Sequence, residues 1–311
     1  MPKIICIAVP TASGKTALAV ELAKELNGEV VSCDSMQVYC HMDIGTAKPT
    51  VEEMQKIPHH MLDVAQPDED FSVSRYCALA TPIVEDIVAR GKTAIIAGGT
   101  GLYMDSLIKG NDFAPFPSTG MREKLEQQAD AQGMEFMLNQ LQQIDPAAAE
   151  KLHLADRKRI IRALEVYYET GETISAHNEK TKQQPPKFHP IRLGLDFAQR
   201  AELYRRIDLR VEIMLKNGLL TEIRSLLARG IPAKATAMQA IGYKEFVAAL
   251  AGRCSIEEAT ALVQQASRNY AKRQLTWFRR NKDMHWLIRQ TDTSAEKILE
   301  SARQVICEYD N

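Results

Sequence analysis

Closely spaced cysteines, long hydrophobic runs and net charge are all scarce in this chain. No two cysteines have the two-residue spacing of zinc or redox motifs, so we expect buried, reduced thiols. The cysteines are Cys6, Cys33, Cys40, Cys77, Cys254 and Cys307. The apolar run at residues 4–9 is too short for a signal peptide or a membrane span, so we expect a cytoplasmic protein with no membrane partner. A net charge of −1 excludes a chain that is basic throughout, and any nucleic-acid site must therefore be local.

What is present favours a globular α/β protein. Of the 311 residues 45% are apolar and 25% charged, which suits one large domain or two ordinary ones. Strand-like runs at residues 3–9, 29–33 and 93–97 alternate with helical periodicity through Leu18, Leu22 and Leu26 and at residues 74–90. The alternation predicts a parallel sheet with helices on both faces, and the phosphate-binding motif described below makes this expected fold P-loop NTPase-like.

A helical insertion interrupts this pattern. Strand signals vanish between residues 113 and 190, where helix formers dominate at 121–132, 134–144 and 157–169. Proline-rich joints at 113–117 and 184–186 mark its edges. A return strand is predicted at 191–196, then helices from Arg200 onward, ending in a long one at 255–281. We therefore predict a catalytic core of residues 1–112 and 191–311 and an insertion domain of residues 113–190.

The turn after the first strand carries a phosphate-binding motif. Gly14, Lys15 and Thr16 supply the second half of the Walker A pattern, between a strand and a helix, whereas Val9 replaces the first glycine. We expect the amides of residues 13–16 to face phosphate oxygens, with Lys15 as counter-charge and the Thr16 hydroxyl on Mg²⁺. The alternative is a fortuitous helix start. A P-loop alone fits kinases, NTPases and other transferases.

Longer sequence motifs distinguish among these classes of P-loop protein. Pro-Thr-Ala-Ser-Gly-Lys-Thr stands at 10–16, Asp-Ser-Met-Gln-Val-Tyr at 34–39 and Met-Asp-Ile-Gly-Thr-Ala-Lys-Pro at 42–49. Further motifs follow at 58–60, 62–63, 98–103, 159–166, 241–243 and 272–277. In this fixed order the chain resembles the tRNA dimethylallyltransferase family over nearly its whole length. It departs from the family at Val9, where glycine is usual.

The resemblance implies a tRNA-modifying prenyltransferase. Such an enzyme transfers the dimethylallyl group of dimethylallyl diphosphate to the exocyclic N6 amine of adenosine 37, 3′ of the anticodon, with Mg²⁺ as cofactor. The partners implied are the anticodon stem-loop of tRNA and dimethylallyl diphosphate, and we expect a monomer. The P-loop then holds the diphosphate of the donor rather than ATP. The diphosphate-binding residues are Val9, Pro10, Thr11, Ala12, Ser13, Gly14, Lys15, Thr16 and Arg206.

Asp34 and Thr100 are the predicted catalytic residues. The adenine amine is a poor nucleophile, and Asp34 follows a strand at the sheet edge where ligands bind, so it is a candidate general base. Its alternative is a helix cap, since Gln37 completes a capping-box pattern. Thr100, in a second Gly-rich turn, is expected to touch the substrates, with a plain helix cap as the alternative. Arg206 and Arg210 are one helical turn apart. We expect them either to add positive charge to the diphosphate site or to form an exposed, salt-bridged helix face.

Basic clusters suggest where RNA binds. Residues 268–282 carry six cations and no acid, with Tyr270 and Trp277 offering aromatic surface, although a solvated basic helix is the alternative. The resemblance adds a second cluster in the insertion. The predicted tRNA-binding residues are Asp34, Ser35, Met36, Gln37, Thr100, Arg122, Lys158, Arg159, Ile160, Ile161, Arg162, Lys272, Arg273, Trp277 and Arg279. We also predict that the target adenosine is flipped out of its stack.

Three other functions fit parts of the pattern. A small-molecule P-loop kinase would use Lys15 and Mg²⁺ for phosphoryl transfer, but leaves the insertion and the basic helix without a purpose. Adenylate isopentenyltransferase would run the same chemistry on free AMP. A non-catalytic RNA-binding protein with a degenerate P-loop is favoured only by Val9.

Overall fold

The computed structural model describes residues 4–8, 10–111, 119–290 and 293–309, without the side chain of Lys182. Val9 and the predicted joint at 113–117 lie outside the described residues. The strands are β1 (Ile4–Ala8), β2 (Gly28–Cys33), β3 (His59–His60), β4 (Thr93–Gly98), β5 (Ile191–Phe197) and β6 (Met284–Arg289). The helices are α1 (Lys15–Glu25), α2 (Val51–Met54), α3 (Val73–Ala89), α4 (Gly101–Lys109), α5 (Met121–Ile144), α6 (Pro146–Ala149), α7 (Arg157–Thr170), α8 (Ile174–Gln183), α9 (Arg200–Lys216), α10 (Leu219–Ala228), α11 (Tyr243–Leu250), α12 (Ile256–Phe278) and α13 (Ala295–Glu308).

The strands form one parallel sheet in the order β3-β2-β4-β1-β5-β6. This confirms the predicted parallel α/β architecture. The short β3 and the edge strand β6 were not predicted, and β6 interrupts the helical pattern expected after Arg200. Its sequence shows no two-residue alternation, because only Met284 and Leu287 of the strand are buried.

Helices cover both faces of the sheet, as predicted. Every residue of β1, β2 and β4 is buried, which explains their continuous apolar runs. Ile5 and Ile7 of β1 belong to the cluster packed under α1 and α13. The helices α3, α4 and α9 contact strands as well, and α12 packs on α9 and α4.

The parallel arrangement brings three loops and the end of a fourth strand to one edge of the sheet. The strands β1, β2 and β4 are followed by the loop at residues 10–14, by Asp34 and by the Gly99-Thr100 turn, while Arg289 ends β6. In an open α/β sheet ligands bind outside the carboxyl ends of the strands. The fold therefore assembles the predicted site residues of the core from segments far apart in sequence.

The chain divides into two compact units, residues 1–110 with 187–311 and residues 111–186. The second unit has its own core, in which Leu125 and Leu141 of α5 pack with Ile160 and Ile161 of α7. Gly133 breaks α5 with φ 83° and ψ 165°, where the sequence predicted two separate helices.

All six cysteines are free thiols. Burial raises the pKa of Cys6 to about 12 and that of Cys77 to about 11, so these thiols stay protonated at neutral pH. Cys307 is exposed, however, which corrects the expectation that every thiol is buried. Among the described residues, no helix combines the length and apolar character needed to cross a bilayer.

Candidate active site

The loop between β1 and α1 folds as a tight turn. Ser13 is buried, and its Oγ donates a 2.8 Å hydrogen bond to the carbonyl oxygen of Pro10. Ala12 and Gly14 have φ angles of 62° and 92°, in the left-handed region that glycine adopts most easily. The chain thereby reverses just before the helix, and its amides turn toward the sheet edge.

The amides at the start of α1 are free to bind an anion. The helix has no side-chain cap, and the N–H groups of Ser13, Gly14, Lys15 and Thr16 find no acceptor within the described part of the chain. Unpaired N–H groups and the positive end of the helix dipole together favour a phosphate. The alternative of a fortuitous helix start does not account for the cations that surround this turn.

Lys15 and Arg210 are half-buried and line this site. Burial lowers the pKa of Lys15, an effect that the Asp34 carboxylate partly offsets. Burial also lowers the pKa of Arg210, whose Nη1 donates a 3.2 Å hydrogen bond to Thr11 Oγ1. Neither side chain has an ion-pair partner among the described residues, so an anionic ligand would relieve the cost of enclosing these charges.

Two further arginines hold the loop from opposite sides. Arg206 on α9 donates from Nε to the Ala12 carbonyl oxygen at 3.1 Å, and Arg289 on β6 donates from Nη1 to the Ser13 carbonyl oxygen at 3.3 Å. Burial, followed by the nearby charge of Arg206, lowers the pKa of Arg289. For Arg206 and Arg210 these contacts replace the alternative of an exposed salt-bridged face. Arg289 was not predicted, because the strand that carries it was not.

Asp34 faces the same space and is held by one of its two oxygens. Its Oδ1 accepts hydrogen bonds from the Met36 amide at 2.9 Å and the Gln37 amide at 3.4 Å, while Oδ2 has no hydrogen bond to any described residue. Residues 35–38 form a turn and no helix follows, so the predicted capping box is absent. Asp34 is therefore oriented by local bonds and keeps one oxygen available.

Thr100 joins the turns that follow β2 and β4. Its Oγ1 accepts a 3.0 Å hydrogen bond from the Ser35 amide, and its own amide donates to the Cys33 carbonyl oxygen at 3.2 Å. Thr100 is the N-cap of α4 by position, yet its side chain makes no capping bond. The hydroxyl thus sits beside the Asp34 turn.

Gln274 connects the two glycine-bearing turns and was missed as a site residue. Its buried side chain accepts the Thr11 amide on Oε1 at 3.1 Å and donates from Nε2 to the Gly99 carbonyl oxygen at 2.9 Å. It lies inside the motif at 272–277, so the sequence did contain a signal for it. A buried amide with both ends bonded fixes the distance between the phosphate loop and the Thr100 turn.

Most of these residues line one cavity of about 620 Å³, whereas Thr100, Arg206 and Arg289 adjoin it through their hydrogen bonds to lining residues. Its polar lining includes residues 10–17, Asp34, Arg210, Tyr270 and Gln274. An apolar part of the lining comes from α9, α10 and α12 and from the turn before α11, through Ile207, Val211, Met214, Leu219, Ile241 and Val263. A ligand that is anionic at one end and apolar at the other matches this lining.

The residues after Asp34 reach the cavity in different ways. Ser35 and Met36 are half-buried and line it. Gln37 lines it too, but its side chain accepts from Ser32 Oγ at 3.0 Å and donates to the carbonyl oxygens of Thr46 and Ala47 at 3.2 and 3.0 Å. The side-chain amide of Gln37 therefore holds neighbouring segments of the chain together, through its bonds to Ser32, Thr46 and Ala47.

The basic surface on and after α12 is less uniform than its sequence. Lys272 and Arg273 are exposed, and Arg273 also lines the cavity. Arg279 pairs with Asp196 at 2.6 Å. Trp277 donates from Nε1 to Asp105 at 2.8 Å, and a Cβ at Gly101 would collide with its indole ring. The indole is thus committed to packing, which leaves Lys272 and Arg273 as the free cations among the predicted set on this helix.

In the insertion the structure separates surface from core. Arg122, Lys158 and Arg159 are exposed, although Arg159 lies 3.5 Å from Asp156, and Arg162 is half-buried and pairs with Glu165 at 2.8 Å. Ile160 and Ile161 are both 0% exposed inside the core of this unit. Their side chains belong to that core, so the prediction that these two isoleucines bind tRNA would have to be met by their backbone atoms.

The described residues contain no group of three or more histidine, cysteine, aspartate or glutamate side chains that could hold a metal ion by themselves. The half-buried Thr16 lines the cavity at the first turn of α1, and its hydroxyl has no hydrogen bond to another described residue. A hydroxyl beside a phosphate site fits Mg²⁺, which takes few protein ligands and completes its shell with phosphate oxygens and water.

Comparison with known proteins finds similarity to tRNA prenyltransferases. The sequence model of the IPP transferase family matches residues 37–281. The tRNA dimethylallyltransferase of Acetivibrio thermocellus is 44% identical over 310 residues, covering 99% of both chains, and that of Thermoanaerobacter sp. is 48% identical over 286 residues, covering 91% of both.

Solved structures of tRNA prenyltransferases are also similar to this chain. The tRNA isopentenylpyrophosphate transferase of Bacillus halodurans is 39% identical, with a TM-score of 0.74 over 99% of this chain and 96% of its own. A eukaryotic dimethylallyltransferase crystallised while acting on tRNA is 30% identical, with a TM-score of 0.83 over 99% of this chain and 79% of its own.

Proposed function

The chain belongs to the IPP transferase family, and on this premise we propose that it is a tRNA dimethylallyltransferase. It transfers the dimethylallyl group of dimethylallyl diphosphate to the N6 amine of adenosine 37 in tRNA and releases diphosphate. The observation that carries the proposal is the cavity itself, in which an uncapped helix start and unpaired cations stand beside a carboxylate with a free oxygen.

The polar end of the cavity suits the diphosphate. Residues 13–16, including Lys15, and Arg210 line the polar end of the cavity, and Arg206 and Arg289 add positive charge next to the loop through their bonds to the Ala12 and Ser13 carbonyl oxygens. Negative charge on the diphosphate grows as the carbon–oxygen bond of the donor breaks, so fixed positive groups here stabilise the transition state more than the ground state. Thr16 would hold Mg²⁺, which neutralises part of that charge when bound.

The apolar lining suits the dimethylallyl group. Val211 and Met214 on α9, Leu219 on α10 and Val263 on α12 offer hydrocarbon surface within the cavity of the diphosphate site. Burial of a five-carbon group there is favourable and excludes water from the reacting carbon. Water would otherwise compete with the amine for that carbon.

Asp34 is proposed as the general base. The N6 nitrogen of adenine forms a bond to the first carbon of the donor, the bond from that carbon to the diphosphate oxygen breaks, and a proton from N6 passes to Asp34. The free Oδ2 is the oxygen that can receive it. A base stacked within the anticodon loop could not enter this cavity, so the adenosine must be flipped out.

The tRNA itself is proposed to contact the exposed cations. On α12 Arg273 lines the cavity and its neighbour Lys272 is exposed, and Arg122, Lys158 and Arg159 lie on the surface of the insertion. Phosphates of the anticodon stem-loop are the partners that suit isolated, exposed lysines and arginines.

Radiolabelled dimethylallyl diphosphate, incubated with unmodified tRNA, with AMP or with buffer, tests the proposal directly. We expect label in tRNA, located at adenosine 37 after nuclease digestion. Label in AMP alone would identify an adenylate isopentenyltransferase, and ATP consumption without label transfer would identify a kinase. Binding of tRNA without transfer would leave a non-catalytic RNA-binding protein.

A further inference from the structure

One carboxylate ties together two motifs that have no role in the chemistry so far. Glu222, in the first turn of α10, accepts on Oε2 the amides of Asp43 and Ile44 at 2.8 and 2.7 Å. On Oε1 it accepts the Gly45 amide at 3.1 Å and the Tyr243 hydroxyl at 2.6 Å. The first three partners belong to the motif at 42–49 and the fourth to the motif at 241–243.

The segment so held is a wall of the active-site cavity. Residues 45–47, here called the acceptor wall, line the cavity next to the Asp34 turn. The side chain of Gln37 donates to the carbonyl oxygens of the last two wall residues, so the wall and the Asp34 turn are joined directly. A Cβ at Gly45 would lie 2.5 Å from the ring of Tyr243, which shows how closely the wall is pressed against α11.

The diphosphate side of the cavity is fixed by other residues. Arg206, Arg210, Arg289 and Gln274 hold the phosphate loop through contacts that involve neither Glu222 nor the acceptor wall. A change at Glu222 should therefore act on the acceptor side of the cavity and spare the donor side.

We propose that Glu222 is a positioning residue that fixes the acceptor wall so that the flipped adenine is held against Asp34. The inference rests on the proposed function and adds to it the means by which acceptor geometry is set. A charged acceptor with several amide donors makes a stiff connection, because each bond to an ionised group is stronger than a neutral one. A displacement of about 1 Å at the reacting atoms is enough to slow a reaction on the order of 100-fold.

Three variants separate positioning from simple stability. Glu222→Gln keeps the shape of the side chain but replaces one accepting oxygen with an NH₂ group, so at least one wall amide loses its acceptor. Tyr243→Phe removes one hydroxyl and leaves the three wall bonds. Glu258→Gln is the matched control, since Glu258 also accepts a backbone amide, that of Ser255 at 2.8 Å, but the residue that it holds does not line the cavity.

The measurements are single-turnover transfer of label to tRNA at saturating substrates and, for the KM, steady-state transfer over a range of dimethylallyl diphosphate concentrations, at a temperature where circular dichroism shows every variant folded. For Glu222→Gln we expect a rate at least roughly tenfold lower, with the KM for dimethylallyl diphosphate within about twofold of wild type. Tyr243→Phe and Glu258→Gln should stay within about threefold of the wild-type rate. If Glu222→Gln does not fold, Glu222→Asp, which keeps the charge and shortens the reach, must show the same split.

A wild-type rate for the folded Glu222 variant, or an equal loss of donor affinity, would overturn the inference. A rate lost equally in Glu258→Gln would do the same, because it would reflect general loosening. If the wild-type chain transfers no label to tRNA, the proposed function fails first and the inference fails with it. That outcome is distinct, since it appears before any variant is compared.

Discussion

At the scale of single residues, Asp34 carries the most specific chemical assignment. Its Oδ1 is anchored by local amides and its Oδ2 has no hydrogen-bond partner among the described residues. We predict that Asp34→Asn, which preserves the anchoring oxygen, lowers the single-turnover rate by about 10² to 10⁴, the usual contribution of a positioned base. Affinity for tRNA should change less than about threefold, because a proton acceptor is lost and no phosphate contact. Rapid-quench transfer assays and filter binding measure the two effects, and a wild-type rate would remove Asp34 from catalysis.

Neighbouring arginines on α9 offer a matched pair. Arg206 contacts the phosphate loop at the Ala12 carbonyl oxygen, whereas Arg205 pairs with Glu202 on the helix surface. We predict that Arg206→Met raises the KM for dimethylallyl diphosphate about 10- to 100-fold, the range expected when a hydrogen bond to a charged group is lost. Arg205→Met removes the same charge one residue away and should leave that KM unchanged. Equal effects would mean that only the net charge of the helix matters.

The site residues that the sequence predicted follow buried strands, whereas those that it missed are identified only by their long-range contacts. Asp34, Lys15 and Thr100 follow buried strands, where a polar side chain stands out against an apolar run. Gln274 is one polar residue among many on α12, and only its two long-range bonds distinguish it. Glu222 is likewise an ordinary surface-type residue in sequence. Contacts between residues far apart in the chain leave no local pattern.

At the scale of elements, the start of β2 depends on a buried carboxylate. Glu29, only 4% exposed in its side chain, pairs with Arg90 at 2.5 Å, Lys92 at 2.7 Å and His60 at 2.8 Å. Its hydrogen bond from Arg90, with those from Lys92 and His60, lowers its pKa despite burial. A depressed pKa stabilises the fold above the unfolded value of about 4.3, and that contribution is lost as pH falls toward the folded value.

We predict that Glu29→Gln lowers the free energy of unfolding by about 2 to 4 kcal/mol at pH 7, because Arg90, Lys92 and His60 lose the buried carboxylate that they share. The gap from wild type should narrow as pH falls below about 4, where the wild-type carboxylate begins to protonate. Urea unfolding at several pH values measures it. Glu21→Gln, which breaks the exposed pair with Lys24, is the control and should cost less than about 1 kcal/mol. A gap independent of pH would argue for packing instead of charge.

Of the predicted tRNA-binding cations on and just after α12, Lys272 and Arg273 are exposed and form no salt bridge with a described residue, whereas Arg279 pairs with Asp196. We predict that replacing Lys272 and Arg273 with alanine weakens tRNA binding and reduces the slope of log K against log salt by about 1.4 to 1.8, as expected for two lost phosphate contacts. Lys216→Ala with Arg229→Ala removes the same charge from exposed positions outside the cavity lining. Fluorescence anisotropy over a salt series distinguishes the pairs. Equal slopes in both would exclude α12 from the RNA site.

Elements themselves were predictable in proportion to their burial. The strands β1, β2 and β4 are buried along their whole length, and each was predicted to within one or two residues. The edge strand β6 has two buried residues of six and was missed, and Arg289 was missed with it. Gly133 marked the break in α5 correctly because a left-handed backbone favours glycine. Sequence periodicity reports burial, and it weakens where an element is half exposed.

At the scale of the whole molecule, the two units separate the proposed tasks. Every residue that lines the active-site cavity belongs to the unit of residues 1–110 and 187–311, whereas Arg122, Lys158 and Arg159 belong to the unit of residues 111–186. The insertion has its own apolar core, so its fold does not depend on the diphosphate site. Inorganic diphosphate should therefore stabilise only the first unit, whereas tRNA, which is large enough to contact both units, should stabilise both.

We predict that inorganic diphosphate protects only the first unit from hydrogen exchange. A ligand at 100 times its Kd stabilises the state that binds it by about 2.7 kcal/mol, and this protection should appear at residues 10–20 and in the other cavity-lining segments of that unit. Addition of tRNA should extend protection to α7, where Lys158 and Arg159 are exposed. Exchange measured by mass spectrometry on the full chain resolves both units. Protection of residues 111–186 by diphosphate alone would show that the insertion responds to the donor, and the proposed division of tasks would then be wrong.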